Sequence, residues 1–497
     1  MDFVCNFPPF SIIFCLACGI ISSAMNGRAA RRLSIALISV VGVMSACVLA
    51  YTVKTGEAFV YVMGRFPAPW GNELRAGTLE GLMALFFSVI MLLSILGGLR
   101  ALAADVDEAR MNLYFVMIDL MMSSLLALIY TNDLFTAYVF VEINTIAACA
   151  LIMIRANGHT MVAATKYMIM SLLGSGLLLI GICMIYDLTG HLLMSNIRES
   201  VAALAATGMY EIPLTVIIGL ICVGLAIKSA LYPFSSWLPD AYGYSTASSS
   251  AVLSSLVSKG YIFLLIKVFY RVIGIDVMVG HKITNILFLF GVIGMIMGSL
   301  TAIRQHDVRR LIAFSSIAQI GYIYMGIGIG NTAGMIAAIF HIMSHAASKS
   351  MLFISAAGLS EVSGGSKDFT DLKGAGYRNK IAGLGFTVGA FSMVGIPLFA
   401  GFTSKVYFAE AALTGGDIKM EIAMAALAVS TILNAVYFIR AVISIYTPRN
   451  PQYNQPSYRP AGSMVFALIF FISLNLLLGT FSYPIANAIG SGLFMFG

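Results

Sequence analysis

The sequence predicts an all-α polytopic membrane protein, and three observations carry that fold class. Apolar residues make up 59% of the 497 positions and charged residues only 10%, against roughly a quarter charged in soluble domains. The apolar residues gather in runs of spanning length, and most basic residues fall in the short connections between them. A span needs about 20 mainly apolar residues, and the chain holds about fourteen such runs by this measure.

In chain order, the run at 8–25 comes first. No basic stretch precedes it and no small-residue cleavage site follows, so it is expected to remain in the mature protein. Runs at 33–52 and 77–98 complete an N-terminal group, and 110–130 carries Asp119 within FVMIDLMM. The run at 133–153 places Glu142 inside LFTAYVFVEINTIAACALI. In 163–187 Lys166 lies near the helix start, where its ammonium can snorkel to the interface. The run at 211–232 holds Lys228 and is closed by Pro233, and 246–272 holds Lys259 behind the serine-rich stretch Tyr244–Ser258. Those serines either line a hydrated vestibule or allow close helix packing. Runs at 282–302 and 308–328 follow, then 331–357 with the segment HIMSHAASKSMLF. The run at 379–413 contains Pro397 and Lys405, and 419–446 and 461–489 end the series.

Orientation follows from the basic residues. With the N-terminus outside, inward loops hold Arg28, Arg31, Arg32, Arg100, Arg110, Arg155, Arg304, Arg309, Arg310, Lys367, Lys373, Arg378, Lys380, Arg449 and Arg459. Outward loops keep about half as many, namely Lys54, Arg65, Arg75, Arg198, Arg271, Lys282 and Lys419. An even helix count then puts both termini outside, in a cytoplasmic membrane. The net charge of +7 forms no basic run with interleaved aromatics, which excludes a nucleic-acid surface. The seven cysteines sit mostly within apolar runs and read as packing residues; Cys15 and Cys18 form a CxxC that lacks a second pair. No flavin, haem or nucleotide fingerprint assigns a cofactor or a redox centre to the chain.

Charge inside the apolar runs is the functional signal. An ionisable side chain at the bilayer centre costs roughly 2.5–3.5 kcal/mol on insertion scales, so such groups usually face a wet interior on an ion or proton path. Lys228, Lys259, Lys405 and Glu142 are of this kind. Proline interrupts the helix beside two of these lysines: Pro233 follows Lys228 and Pro397 precedes Lys405. One break in each half, with the order reversed, is the pattern of inverted-repeat transporters, where freed carbonyls line a cavity; an ordinary kink with a snorkelling lysine is the plainer reading. Glu142 approaching Lys228 keeps both charged, and its withdrawal lets the proton pass on toward Lys259; a static ion pair between helices is the alternative. His341, His345 and Lys349 stand at i, i+4 and i+8 on one helix face, as a proton relay or as hydrogen-bonded core histidines. A zinc site is disfavoured, because Ile342 stands where HExxH needs its Glu and no third ligand is evident, so no metal is assigned.

In order along the chain, TNDLFTAYVFVEI at 131–143, KSALYPFSSWLPDAY at 228–242, LVSKGYIF, QHDVRRLIAFSSIAQIGY at 305–322, HIMSHAASKSMLF at 341–353 and GIPLFAGFTSK at 395–405 form one set. This set resembles the antiporter-like proton-translocating subunits shared by Mrp-type cation/proton antiporters, respiratory complex I and membrane-bound hydrogenases, over residues 110–445. The resemblance implies fourteen membrane helices with two inverted five-helix repeats. The divisions are then 1–109 for helices 1–3, 110–272 and 282–446 for the repeats, and 447–497 for helix 14. It implies Glu142 and Lys228 as the switching pair, Lys259 and the His341–Lys349 face as the central link, and Lys405 as the terminal lysine.

Many relatives carry histidines where Ser235 and Tyr242 stand here, and Ala-Pro-Thr where Ser245, Thr246 and Ala247 stand. The histidine gap resembles the Mrp D type, whereas paired His341 and His345 look more like hydrogenase relatives. The expectation is a proton-translocating subunit of a multisubunit cation(Na+)/proton antiporter of the Mrp D type, beside other membrane subunits in a lipid bilayer. The alternative is the pumping module of a membrane-bound hydrogenase or a related respiratory complex, and a nonconducting scaffold is the third class.

Overall fold

The computed structural model describes residues 3–66, 71–415, 417–448 and 458–496; Arg449, assigned above to an inward loop, lies outside them. Helices α1 (Phe7–Ser23), α2 (Gly27–Thr55), α3 (Thr78–Asp105) and α4 (Met111–Tyr130) run up and down in sequence. They lead into α5 (Leu134–Met153), α6 (Gly158–Thr189), α7 (Met194–Thr207) and α8 (Glu211–Ser229). A short α9 (Leu238–Tyr244) precedes α10, which spans Ala247–Ile273 and includes two π-helical turns. The second half comprises α11 (Ile283–Ile303), α12 (Val308–Ile329), α13 (Thr332–Glu361), α14 (Lys380–Val394), α15 (Ala400–Gly415) and α16 (Asp417–Tyr446). Helices α17 (Gly462–Thr480) and α18 (Ser482–Phe494) end the chain.

Among the described residues, twelve helices are long and apolar enough to cross a membrane. The other two sequence-predicted spans are α13, whose histidines, lysine and serines dilute its apolar character, and the broken pair α14 and α15. The run at 461–489 is not one helix. The ring of Pro484 clashes with the carbonyl four residues back, and the helix stops at that residue, Thr480. One departure from an all-helical chain was not foreseen: β1 (Phe59–Val62) pairs antiparallel with β2 (Glu73–Ala76), joining α2 to α3.

Asparagine and aspartate begin the helices, as their short acceptors allow. Asp133 accepts from the Thr136 amide at 2.6 Å, Asn157 from Thr160 at 2.9 Å, and Asn331 from Gly334 at 2.7 Å. Close backbone approach fixes two helix pairs. A Cβ on Gly224 of α8 would lie 2.7 Å from the Gly174 carbonyl oxygen of α6, and one on Gly321 of α12 would lie 2.6 Å from the Met295 amide of α11. Only glycine permits that contact.

Burial is graded from the centre outward. All of the apolar window of α10 and 89% of that of α12 are buried inside the protein, against 33% for α2 and α17. The outer helices expose Ile20, Val43, Ile169, Ile432 and Ile443, the apolar surface a bilayer covers. Of the ionisable residues singled out above, Lys259 lies on α10, Lys228 packs on Tyr261 of that helix, and His341, Lys349 and Lys405 meet α12.

Candidate functional site

Helix α8 ends one residue after Lys228. Ala230 takes the left-handed conformation (φ 64°), and the Ala230 and Leu231 amides close back on the Ile227 and Ala226 carbonyls at 3.2 and 2.9 Å. With those carbonyls satisfied by backbone, the fully buried Lys228 reaches sideways to α5. Its Nζ donates to Thr145 Oγ1 at 2.6 Å and lies 3.4 Å from Glu142 Oε1. Glu142 also accepts from Ser175 of α6, and its side chain is 26% exposed where that of Lys228 is wholly covered. Thr145 Oγ1 is 3.4 Å from the Tyr261 hydroxyl of α10, and the Lys228 ammonium lies 5.8 Å from the Tyr261 ring centre, within cation–π range.

Lys259 follows the π-helical turn Leu253–Val257. Such a wider turn moves carbonyls out of the regular ladder and recurs at functional sites; here the Lys259 ammonium donates to the Ser254 carbonyl of its own helix. It makes no direct bond to Lys228 among the described residues. Tyr261, two residues beyond Lys259 on the same helix, is the α10 side chain that faces Lys228 and Thr145.

The i, i+4, i+8 face of α13 is realised. The His341 and His345 rings are parallel to within 1°, with centroids 6.0 Å apart, and all three ionisable groups are buried. His341 Nδ1 is 2.9 Å from Ser404 Oγ, and its ring stacks on Tyr322 at 5.5 Å. Lys349 donates to the Ile312 carbonyl at 2.8 Å and to the Ser315 hydroxyl. His345 is within electrostatic reach of Lys259, Lys349 and His341, and His341 of Lys405. Lys259, His345, His341 and Lys405 therefore form one row from α10 through α13 to α15.

Lys405 sits beyond the second break. Gly395 (φ 90°) and Leu398 (φ 78°) are left-handed there, and the Val394 carbonyl left free at the end of α14 accepts from Lys405 Nζ at 2.6 Å. Thr431 Oγ1 of α16 accepts at 3.0 Å, and the Tyr322 ring centre lies 5.5 Å away. Along the row, both ring nitrogens of His345, Nε2 of His341, Ser344 Oγ and both amide atoms of Gln319 are buried with no hydrogen-bond partner among the described residues. Buried polar atoms are nearly always paired with protein or water, so the lining is polar and unsaturated.

All seven sequence-predicted site residues, Glu142, Lys228, Lys259, His341, His345, Lys349 and Lys405, thus lie in this interior. Others fall elsewhere. Asp119 is buried among the N-terminal helices, accepting from Ser34 at 2.8 Å and Ser22 at 3.3 Å. Lys166 pairs with Asp240 at 2.6 Å near the surface. Ser248 packs α10 against α3, where a Cβ on Gly98 would lie 2.6 Å from its own Cβ, which is the packing reading of the serine stretch. Arg271 is not a loop residue: it is 2% exposed and paired with Glu80. Sequence reasoning missed Thr145, Ser175, Tyr261, Ser315, Ser404 and Thr431, hydroxyls whose only sequence signal is spacing from a lysine or acid on another helix. Among the described residues no three His, Cys, Asp or Glu side chains converge on a metal-sized site.

With that geometry in hand, the chain can be set beside known proteins. Residues 131–437 match the profile of the family described as NADH:quinone oxidoreductase/Mrp antiporter, TM. The NADH-quinone oxidoreductase N-type subunit of Desulforudis audaxviator is 32% identical over 445 residues, covering 88% of this chain and 87% of that protein. The Na(+)/H(+) antiporter D-type subunit of Alkalihalophilus pseudofirmus is 27% identical over 452 residues, covering 90% and 88%. A chain of an archaeal respiratory complex, the membrane-bound sulfane sulfur reductase, superposes with a TM-score of 0.88 at 24% identity over 100% of this chain and 98% of its own, which shows a shared fold.

Proposed function

We propose, for a chain that belongs to the NADH:quinone oxidoreductase/Mrp antiporter transmembrane family, that it translocates protons as an antiporter-like subunit of a multisubunit cation(Na+)/proton antiporter of the Mrp D type. The observation that carries this reading is the row of buried ionisable groups. Glu142 and Lys228 form an acid–base pair at one end, Lys259, His345 and His341 run through the centre, and Lys405 closes the other end beside the second break. Water bridging the unpaired ring nitrogens and amides completes the path, since each is a donor or acceptor with no protein partner among the described residues. Lys349 holds the central face by its bonds to Ile312 and Ser315.

The pairing supplies a switch. While Glu142 stays near Lys228, both remain charged; when the acid swings toward the surface it already touches, the lysine proton is free to move inward by way of Thr145 and Tyr261. The two inverted units at 110–272 and 282–446 place the two breaks at opposite ends of the path, with both termini on the outer side of a bacterial or archaeal cytoplasmic membrane. Other membrane subunits flank the chain, and a transmembrane potential moves each charge with about 2.3 kcal/mol per 100 mV.

A second reading has its own support. The relative at 32% identity is a subunit of an NADH-quinone oxidoreductase, and in such an assembly redox chemistry in partner subunits would drive the same path.

The test is a proton-flux assay in proteoliposomes holding the assembled complex, with Lys228→Ala and Glu142→Ala. Loss of flux with assembly retained is expected; normal flux in both variants would leave a scaffold role. The copurifying subunits then decide the energy source. Small antiporter subunits alone match the first reading, and an iron–sulfur or nickel–iron subunit matches the second.

A further inference from the structure

On the face that carries the β1–β2 hairpin, α7 and the end of α10, a cavity of about 380 Å³ is lined by Arg75, Asn132, Ser195, Arg198, Arg271 and Phe496. Three guanidinium groups from three separate elements therefore meet one space. Arg271 is 2% exposed; one of its amino groups meets Glu80, and its Cζ lies 4.0 Å from the Phe496 ring centre. Among the described residues its Nε and Nη1 nonetheless have no hydrogen-bond partner. Arg75 gives one N–H to the Met495 carbonyl, and Arg198 enters no ion pair or hydrogen bond among the described residues.

The local charge balance is positive. Lys267, one turn before Arg271, is buried on the carbonyls of Leu128, Ile129 and Thr131 and has no acid of its own. Glu80 is the buried carboxylate of the cluster, while Glu73 is bonded to Asn132 and Glu199 at the cavity wall is exposed. Burial, then the charges of Arg271 and Arg198, hold the Arg75 guanidinium below its ordinary value, and Glu80 offsets this in part.

We propose that this cavity binds a phosphate-type anion, with the headgroup of an anionic phospholipid as its occupant. Planar guanidinium forks match phosphate oxygens two at a time, and three of them border this cavity. Ala202 and Phe496 give the same cavity an apolar wall against which an acyl chain can lie. Free phosphate shares the headgroup chemistry and lacks the chains. This site is separate from the proton row and stands or falls independently of it.

Native mass spectrometry of the full chain in its assembly, extracted in mild detergent and exposed to phosphatidylglycerol, phosphatidylcholine or inorganic phosphate, tests the proposal. Phosphatidylglycerol is expected to be retained, with retention about tenfold weaker in Arg198→Ala and partly kept in Arg198→Lys. Arg28→Ala, at the opposite end of α2 with its side chain 80% exposed, should change nothing. Displacement of the lipid by millimolar inorganic phosphate identifies a free anion as occupant and supports the same chemistry; resistance identifies the lipid. Equal retention of the two lipids, unchanged retention in Arg198→Ala, or loss of all binding only when a neighbouring subunit is removed would overturn it.

Discussion

Lys228 stands before the break in its helix and faces a carboxylate, whereas Lys405 stands after the break in its own region and faces a carbonyl and a hydroxyl. In the first region the backbone closes on itself through Ala230 and Leu231, and the lysine is left to Glu142 at 3.4 Å and Thr145 at 2.6 Å. In the second, the Val394 carbonyl freed by the break becomes the lysine's own acceptor at 2.6 Å. The difference separates two ways of holding a buried cation. On the proposed path a paired lysine is governed by where its acid is, so a movement of α5 against α8 would change its charge. A lysine on neutral acceptors can lose its proton without stranding an opposite charge, which is what the proposed path asks of its terminal lysine.

The contrast can be broken most forcefully at the pair. Lys228→Met is expected to lower proton flux by ~10²-fold or more. It should also destabilise the chain by roughly 1–2 kcal/mol, less than for a fully enclosed pair, because the Glu142 side chain is 26% exposed. Adding Glu142→Gln should recover stability and leave flux lost; recovery of both would remove the switch. Lys405→Met is expected to stop flux as fully while moving the melting temperature less, since no acid is orphaned. Equal destabilisation in the two lysine variants would erase the distinction between the regions.

Thr145→Val sharpens it at smaller scale. Lys228 loses its 2.6 Å partner, which should weaken stability by about 1 kcal/mol and slow flux roughly tenfold, with Glu142 untouched. A flux equal to that of the unaltered chain would exclude the Thr145–Tyr261 side path.

The smallest effect lies outside the membrane, where the halves are tied together. Lys367 donates to the Gly243 carbonyl at 3.1 Å. Burial, then the neighbouring Arg309 charge, lowers its pKa from 10.5 to about 8 against the opposing pull of Asp307. The native state therefore holds fewer protons than the unfolded chain between those values. The destabilisation from the charged lysine is complete below pH about 8 and is relieved as pH rises toward 10.5. Melting curves across that window should show the unaltered chain gaining stability relative to Lys367→Met; parallel curves would refute the assignment.

Much of this was legible because charge in an apolar run is costly and therefore conspicuous. Lys228, Lys259 and Lys405 declare themselves against their neighbours, and Pro233 and Pro397 mark the breaks. The partners are silent in sequence. Ser175, Thr145 and Thr431 are ordinary hydroxyls, and only packing brings them to an acid or a lysine. Arg271 was misplaced for the opposite reason: an arginine near the end of a run reads as interfacial, but Glu80, 191 positions away, supplies an internal partner. The hairpin was missed because strands as short as Phe59–Val62 leave almost no alternation to detect.

Helix α10 carries two buried lysines, and proton flux in proteoliposomes of the assembled complex with each replaced by methionine tests the proposed path most directly. Lys259 lies in electrostatic reach of His345 and belongs to the row, while Lys267 is tied to the carbonyls of Leu128, Ile129 and Thr131 and does not. Lys259→Met should abolish flux with assembly retained, and Lys267→Met should leave flux per assembled complex near normal. Undiminished flux in Lys259→Met would contradict the account.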